Sequence, residues 1–152
     1  MSAQSATYSF KDVAGSLTNP ILSGAPIVFA GDIGMGEFVI EMDTERTAHD
    51  TAADGTVMPT YVAGDSGRCT IRMQQTSRLH DALLTLYNLL KSQADGGDAS
   101  NWAASALSLR ALVSGRQHNF GGVSFSKIPP YPYAAQGQSV TWVLMACNVT
   151  QF

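Results

Sequence analysis

Alternation of apolar and polar residues dominates the chain, and period two is the mark of a half-buried β-strand. Tyr8-Ser9-Phe10-Lys11-Asp12-Val13 begins with it. From Glu37 to Asp43, one face carries Phe38, Ile40 and Met42; the other carries Glu37, Val39, Glu41 and Asp43. Arg68 to Gln74 alternates cleanly, with Cys69, Ile71 and Met73 inward and Arg68, Thr70, Arg72 and Gln74 outward. Ala106–Ser114 sets Leu107, Leu109, Ala111 and Val113 against Ser108 and Arg110, and Gln117–Ile128 brings Phe120, Val123 and Phe125. Ser139–Val149 is apolar on both faces: Val140, Trp142, Leu144 and Ala146, then Val143, Met145, Cys147 and Val149. Such a strand is central or lies in an interface. Asp54-Gly55 signals a turn between two strand-like runs. The first, Thr44–Ala52, reads as a polar extension of the strand before it. The second, Thr56–Val62, holds Pro59, which restricts it to an edge or bulge.

One stretch changes period. Leu79, Leu83, Leu86 and Leu90 recur at helical spacing, widened by Ala82, Tyr87 and Leu89. Ser77 is a good N-cap, Asp81 suits the first turn, and Gly96-Gly97 stops the helix. The predicted helix spans about residues 77–93. The segment from Thr18 to Gly36 holds Pro20, Gly24, Pro26, Gly31, Gly34 and Gly36, and that density of turn residues predicts a long loop or arm with room for a short strand at Ile27–Phe29. Many short strands and one helix make a mainly β chain, a β-barrel or β-sandwich with one flanking helix. With 152 residues it is read as one domain, 1–152, with an extended arm at 18–36.

Charge sharpens the picture. Charged residues are only 14% and the formal net charge is −3, which argues against a dedicated nucleic-acid binder. Residues 32–65 nevertheless hold eight acids and one base, whereas residues 66–127 hold seven bases and three acids. Halves of opposite sign pair within the chain or between copies of it. No apolar run is long enough for a membrane span, and no leader pattern opens the chain. Cys69 and Cys147 form no metal or redox motif and read as reduced, buried thiols.

The search for catalytic chemistry is unproductive. His49, His80 and His118 stand in separate contexts, and the His80-Asp81 pair on a helix points apart. Gly31-Asp32-Ile33-Gly34-Met35-Gly36 has the wrong spacing for a phosphate loop, and no nucleophile elbow is present. The expectation is a non-enzyme with no cofactor and no metal. Two other classes compete: a small ligand-binding β-sandwich with an aromatic cluster of Trp102, Tyr131 and Tyr133, and a hydrolase joining His118 or His49 to acids.

Four segments taken together carry a resemblance. They are Tyr8-Ser-Phe-Lys-Asp-Val13; Asp54-Gly-Thr-Val-Met58 with Val62-Ala-Gly-Asp-Ser-Gly67; the helix Thr76-Ser-Arg-Leu-His-Asp-Ala-Leu-Leu-Thr-Leu-Tyr-Asn88; and Phe125-Ser-Lys-Ile-Pro129 with Tyr133-Ala-Ala-Gln-Gly137 and Val140-Thr-Trp142. In that order they resemble the tail tube proteins of contractile-tailed bacteriophages. Residues 19–36 and 94–104 fall outside the match.

The resemblance implies a barrel or sandwich with a flanking helix, six copies per ring, and rings stacked into a hollow tube for genome ejection. It implies a virion protein made in the host bacterial cytoplasm. Its partners would be itself, the tail sheath protein, the tail terminator and the baseplate tube initiator, with DNA passing through. The alternative is the inner tube of a phage-derived contractile injection system, bacteriocin or type VI-like. In that light Glu37, Glu41 and Asp43 are expected to line the lumen, since acidic walls repel phosphate, or else to pair with Arg68 and Arg72. Pro20, Gly24, Pro26, Gly31 and Gly34 mark the expected inter-ring arm. Trp142, Leu144 and Met145 mark the expected subunit-interface strand.

Overall fold

The computed structural model describes residues 7–30 and 35–152. Among these residues, ten strands and one α-helix run in the order β1 (Val13–Thr18), β2 (Ile27–Ala30), β3 (Met35–Met42), β4 (Thr47–Thr51), β5 (Val57–Tyr61), β6 (Gly67–Gln74), α1 (Arg78–Asp95), β7 (Ser105–Ala111), β8 (Gln117–Phe125), β9 (Ser139–Ala146) and β10 (Asn148–Gln151). An eight-stranded antiparallel sheet has the order β2-β1-β7-β8-β9-β6-β3, with β10 on β8; β4 and β5 form a separate hairpin. The sheet rolls over on itself. Phe38 of β3 meets Phe29 of β2 at 6.0 Å between ring centres and Phe10, just before β1, at 5.7 Å. The two ends of the sheet thus share one core, as the expected barrel-like fold with a flanking helix requires.

The roll turns on β8. Its first half pairs with β7 and β10, while Ser124 and Phe125 pair with β9. At the corner, Gly122 has φ +62°, and a Cβ there would lie 2.9 Å from Cβ of Cys147. Only glycine takes that backbone and that approach without strain. Cys147 is the extra residue opposite, its N–H shared between the carbonyls of Gly121 and Gly122. It shifts the phase of the strand by one. Val140, Trp142, Leu144 and Ala146 are buried before it and Val149 after it, and Cys147 itself is exposed. The expectation of two buried thiols therefore holds for Cys69 and is corrected for Cys147.

The inward faces of β6 and β9 meet the leucine stripe of α1. Cys69, Ile71, Trp142, Leu83 and Leu86 have no exposure at all. Burying each large apolar side chain stabilises the fold by about 1.5–3 kcal/mol. The Ser77 hydroxyl accepts the Leu79 N–H at 3.2 Å and caps the helix. Tyr87, Trp102, Phe125 and Trp142 form a chain of edge contacts at 5.4–5.8 Å beneath it, apart from the longer Tyr87–Trp142 approach.

The described part of the 18–36 segment is folded. Asn19 is buried; its Nδ2 donates to Ser105 Oγ at 2.7 Å and to the Asn101 carbonyl at 3.1 Å, and its Oδ1 accepts the Ile21 N–H at 3.0 Å. A 3₁₀ turn at Pro20–Leu22 follows, and β2 then pairs with β1 and places Phe29 in the core. Phe29 and Leu109 flank Gly15 on the neighbouring strands, and a Cβ on Gly15 would lie 2.6 Å from Leu109 Cδ2. Pro20, Gly24 and Pro26, expected in an inter-ring arm, lie in the connection between β1 and β2 that Asn19 ties to Asn101 and Ser105. Gly31 and Gly34 lie outside the described residues.

Candidate assembly interface

Three surfaces stand out. The first is the outward face of β3, β6 and β9. Register aligns three rows across the strands: Glu37, Arg72 and Thr141; Val39, Thr70 and Val143; and Glu41, Arg68 and Met145. Glu37 lies 3.8 Å from Arg72, and the Arg68 Nε donates to Asp43 Oδ1 at 3.1 Å. The predicted acidic row is therefore real, and it runs beside a basic row. Exposed pairs of this kind add only about 0–1 kcal/mol each. Their effect is to hold two guanidinium groups against carboxylates. β3 has a strand on one side only among the described residues, so its other edge presents free backbone donors and acceptors.

Trp142 and Leu144 do not belong to any outer surface. They are consumed by the chain's own core, which corrects the expected interface strand. Met145, 42% exposed, sits on the charged face beside Arg68.

The second surface is the β4–β5 hairpin, where Asp54-Gly55 makes the predicted turn. Asp54 Oδ1 accepts the Thr56 N–H at 3.0 Å, and this bond holds its carboxyl below the usual carboxylate range. Every residue of β4 and β5 is exposed. Val57, Pro59 and Tyr61 share one side and are paired with Thr51, His49 and Thr47. Tyr61 keeps 75% of its surface in solvent, with the Arg46 guanidinium 5.5 Å from its ring centre. Arg46 in turn donates to Asp65 at 2.6 Å, fixing the base of the hairpin; that bond raises the Arg46 pKa further. The sequence reading made Thr44–Ala52 an extension of β3. The structure instead gives it a partner of its own, off the main sheet.

The third surface is the end of the barrel where β7 turns into β8. Tyr8 is 77% and Val113 70% exposed, with Leu112 between Val113 and Ala111. A cleft of about 220 Å³ is lined by Tyr8, Phe10, Phe38, Leu109, Arg110 and His118, among others. A smaller one of about 160 Å³ is lined by Tyr8, Val13, Ala111 and Val113, with Asp12 at its wall. Lys11, Arg110 and Arg116 have no ion-pair partner among the described residues.

The pieces of the competing readings do not converge. Tyr131 and Tyr133 meet at 5.1 Å with tilted rings, but Trp102 packs on Tyr87 under the helix. His80 is buried, and its Nδ1 accepts the Trp142 indole N–H at 3.0 Å, with Tyr131 stacked at 5.1 Å. His118 lies at the first cleft and His49 on the hairpin. Among the described residues, no group of three or more His, Cys, Asp or Glu is placed to hold a metal.

The rolled β-sheet with a flanking helix is the scaffold of a structural, non-enzymatic protein of the tail tube class, as its family match shows. The chain belongs to the bacteriophage PhiTE tail tube protein family, whose pattern it matches over residues 5–152. Solved structures share the fold at low identity. A chain of an anti-feeding prophage baseplate matches with a TM-score of 0.61 at 8% identity, covering 100% of this chain and 97% of that one. A chain of the sheath/tube terminator of PVC, an extracellular contractile injection system, gives 0.58 at 11%, covering 99% of each. A chain of the PVC sheath-tube complex gives 0.55 at 12%, covering 96% of this chain and 91% of that one. No curated protein sequence matches the chain.

Proposed function

We propose that six copies of this chain close into a ring, that rings stack into a hollow tube, and that the tube conducts the phage genome through the host envelope. The observation that carries the reading is β3. It is an eight-residue edge strand with one side of its backbone unpaired among the described residues, on the face that carries the charge ladder. A strand from the next copy completes such an edge, and ring closure leaves none exposed.

In this reading the face of β3, β6 and β9 lines the lumen, with Glu37, Glu41 and Asp43 on the wall. The acids outnumber Arg68 and Arg72 and engage both, so neither guanidinium is left to bind passing phosphate. The sheath, the tail terminator and the baseplate initiator are the remaining partners, and synthesis takes place in the bacterial cytoplasm. The injection-system alternative is favoured by the fold likeness to the tube-associated chains above; a particle lacking a DNA-filled head would select it.

Electron microscopy of the concentrated recombinant chain tests the proposal. Hollow tubes of stacked six-fold rings with Glu37 and Glu41 on the inner wall are expected. A chain that stays monomeric at every concentration overturns the tube. Tubes with those side chains on the outer wall overturn the lumen assignment.

A further inference from the structure

Both tryptophans and three of the five tyrosines stand in one file, with a histidine between them. Trp102 meets Tyr87 at 5.8 Å between ring centres, and Tyr87 meets Trp142 at 6.5 Å. Trp142 meets His80 at 5.8 Å, His80 stacks on Tyr131 at 5.1 Å, and Tyr131 meets Tyr133 at 5.1 Å. The file begins at Trp102, which is partly buried, and passes through Trp142, which has no exposure. It ends at Tyr133, 91% exposed. Core packing explains the buried rings. It does not explain why the contacts continue, ring to ring, out to solvent.

We infer that this file carries an electron hole from the tryptophans to the surface, and that Tyr133 is the site where one-electron oxidation of the chain comes to rest. The path lies within one copy, so it operates with or without assembly.

Indoles and phenols are side chains that give up a single electron, and electrons tunnel between rings in contact. An oxidant of the oxygen-radical class takes one electron from Trp102 and is itself reduced. An electron from Trp142 refills Trp102 past Tyr87. The Trp142 radical cation is a strong acid, and its indole N–H already donates to His80 Nδ1 at 3.0 Å. The proton crosses to Nδ1 and leaves His80 as imidazolium, because Nε2 holds the other proton. Tyr131, stacked on His80, then supplies an electron to Trp142, which takes its proton back from His80. Tyr133 refills Tyr131 in turn and releases its own phenolic proton to water. The net change is one electron from Tyr133 to the oxidant and one proton from Tyr133 to solvent. Every other ring is restored. A neutral phenoxyl is more stable than an indolyl radical, so the hole runs toward tyrosine, and Tyr133 has the most open access to water in the file.

Pulse radiolysis in azide solution tests the path. The azide radical takes an electron from tryptophan at neutral pH and becomes azide anion. In a Tyr8→Phe, Tyr61→Phe chain, every remaining tyrosine belongs to the file. The indolyl absorption is expected to decay as the phenoxyl absorption rises, at a rate independent of protein concentration. A rate that grows with protein concentration means transfer between chains and overturns the inference. Adding Tyr131→Phe and Tyr133→Phe keeps the rings but removes the phenols, and the phenoxyl rise is lost. A full rise in that variant leaves the hole on Tyr87 and overturns the inference.

Trp102→Phe is the second measurement. Trp142 offers the oxidant no surface, so the phenoxyl signal is lost. Its persistence shows direct oxidation of tyrosine from solvent and overturns the path. Two phenoxyls from separate chains couple ring carbon to ring carbon, and peptide mapping is expected to find that dityrosine at Tyr133. A link at Tyr87 or Tyr131 instead overturns the assignment of Tyr133.

Discussion

The buried bond between Trp142 and His80 is the sharpest point at which the fold can be interrogated. An indole N–H can only donate, so His80 Nδ1 accepts at 3.0 Å and the imidazole carries its proton on Nε2. His80→Leu keeps the helix and the apolar volume roughly intact but leaves the Trp142 N–H buried without an acceptor. An orphaned buried donor costs about 1–3 kcal/mol. Loss of the stack on Tyr131 adds about 0.5–1.5 kcal/mol. The total is about 1.5–4.5 kcal/mol, and for a chain of this size each kcal/mol lowers Tm by about 2–4 °C. Thermal unfolding of dilute, unassembled protein, followed by circular dichroism, reads the change. Trp142→Phe loses the same bond along with core volume. In a double-mutant cycle the combined variant is therefore less destabilised than the two single losses added together. A His80→Leu variant that melts within a degree of wild type, or a strictly additive cycle, refutes the argument that this bond is made and matters.

Three further outcomes are expected. The Cys147 thiol is labelled by maleimide in the native protein, whereas Cys69, whose burial pushes its thiol up to about 12, is labelled only on unfolding; native labelling of both overturns the burial assignment. The Cys69 shift also has a sign: above the usual cysteine pKa of about 8.5 the unfolded chain loses a proton that the folded chain keeps, so stability falls between about pH 9 and 12 and Cys69→Ala flattens that slope. Gly122→Val forces a β-branched side chain onto a positive φ and into Cys147, at a cost of at least about 1–3 kcal/mol read by chemical denaturation; wild-type stability would show that the corner is not built as described.

What the sequence disclosed depended on how local the determining physics is. The alternation of Arg68–Gln74 and the Ser77-capped leucine stripe of α1 are complete within one element, and both are observed where the pattern placed them. The turn at Asp54-Gly55 was equally legible. Prolines and glycines over 18–36 suggested a long loop or arm with a short strand at Ile27–Phe29; that strand is observed as β2, but the interactions that tie the segment down are distant in sequence. They are the Asn19 bonds to Asn101 and Ser105, and the Gly15 slot between Phe29 and Leu109. Cys147 was misplaced for a related reason: one residue of bulge, set by Gly121 and Gly122 on another strand, inverts the alternation after it. At the charged face, the sequence supplied the acids of β3 and the arginines of β6, but only register shows that Glu37 meets Arg72 and Asp43 meets Arg68.

The placement of β9 and β10 bears on when a subunit becomes competent. These strands come last in the chain, yet β9 sits between β8 and β6, and β10 covers the free side of β8. While the polypeptide is emerging from the ribosome, the half made of β1, β2, β7 and β8 and the half made of β3 and β6 lack the strand that hydrogen-bonds them into one sheet. Residues 139–151 act as the closing stitch, and a nascent chain cannot display its finished contact surfaces before they are translated. In the tube proposed above, the order of synthesis delays polymerisation until each building block is whole.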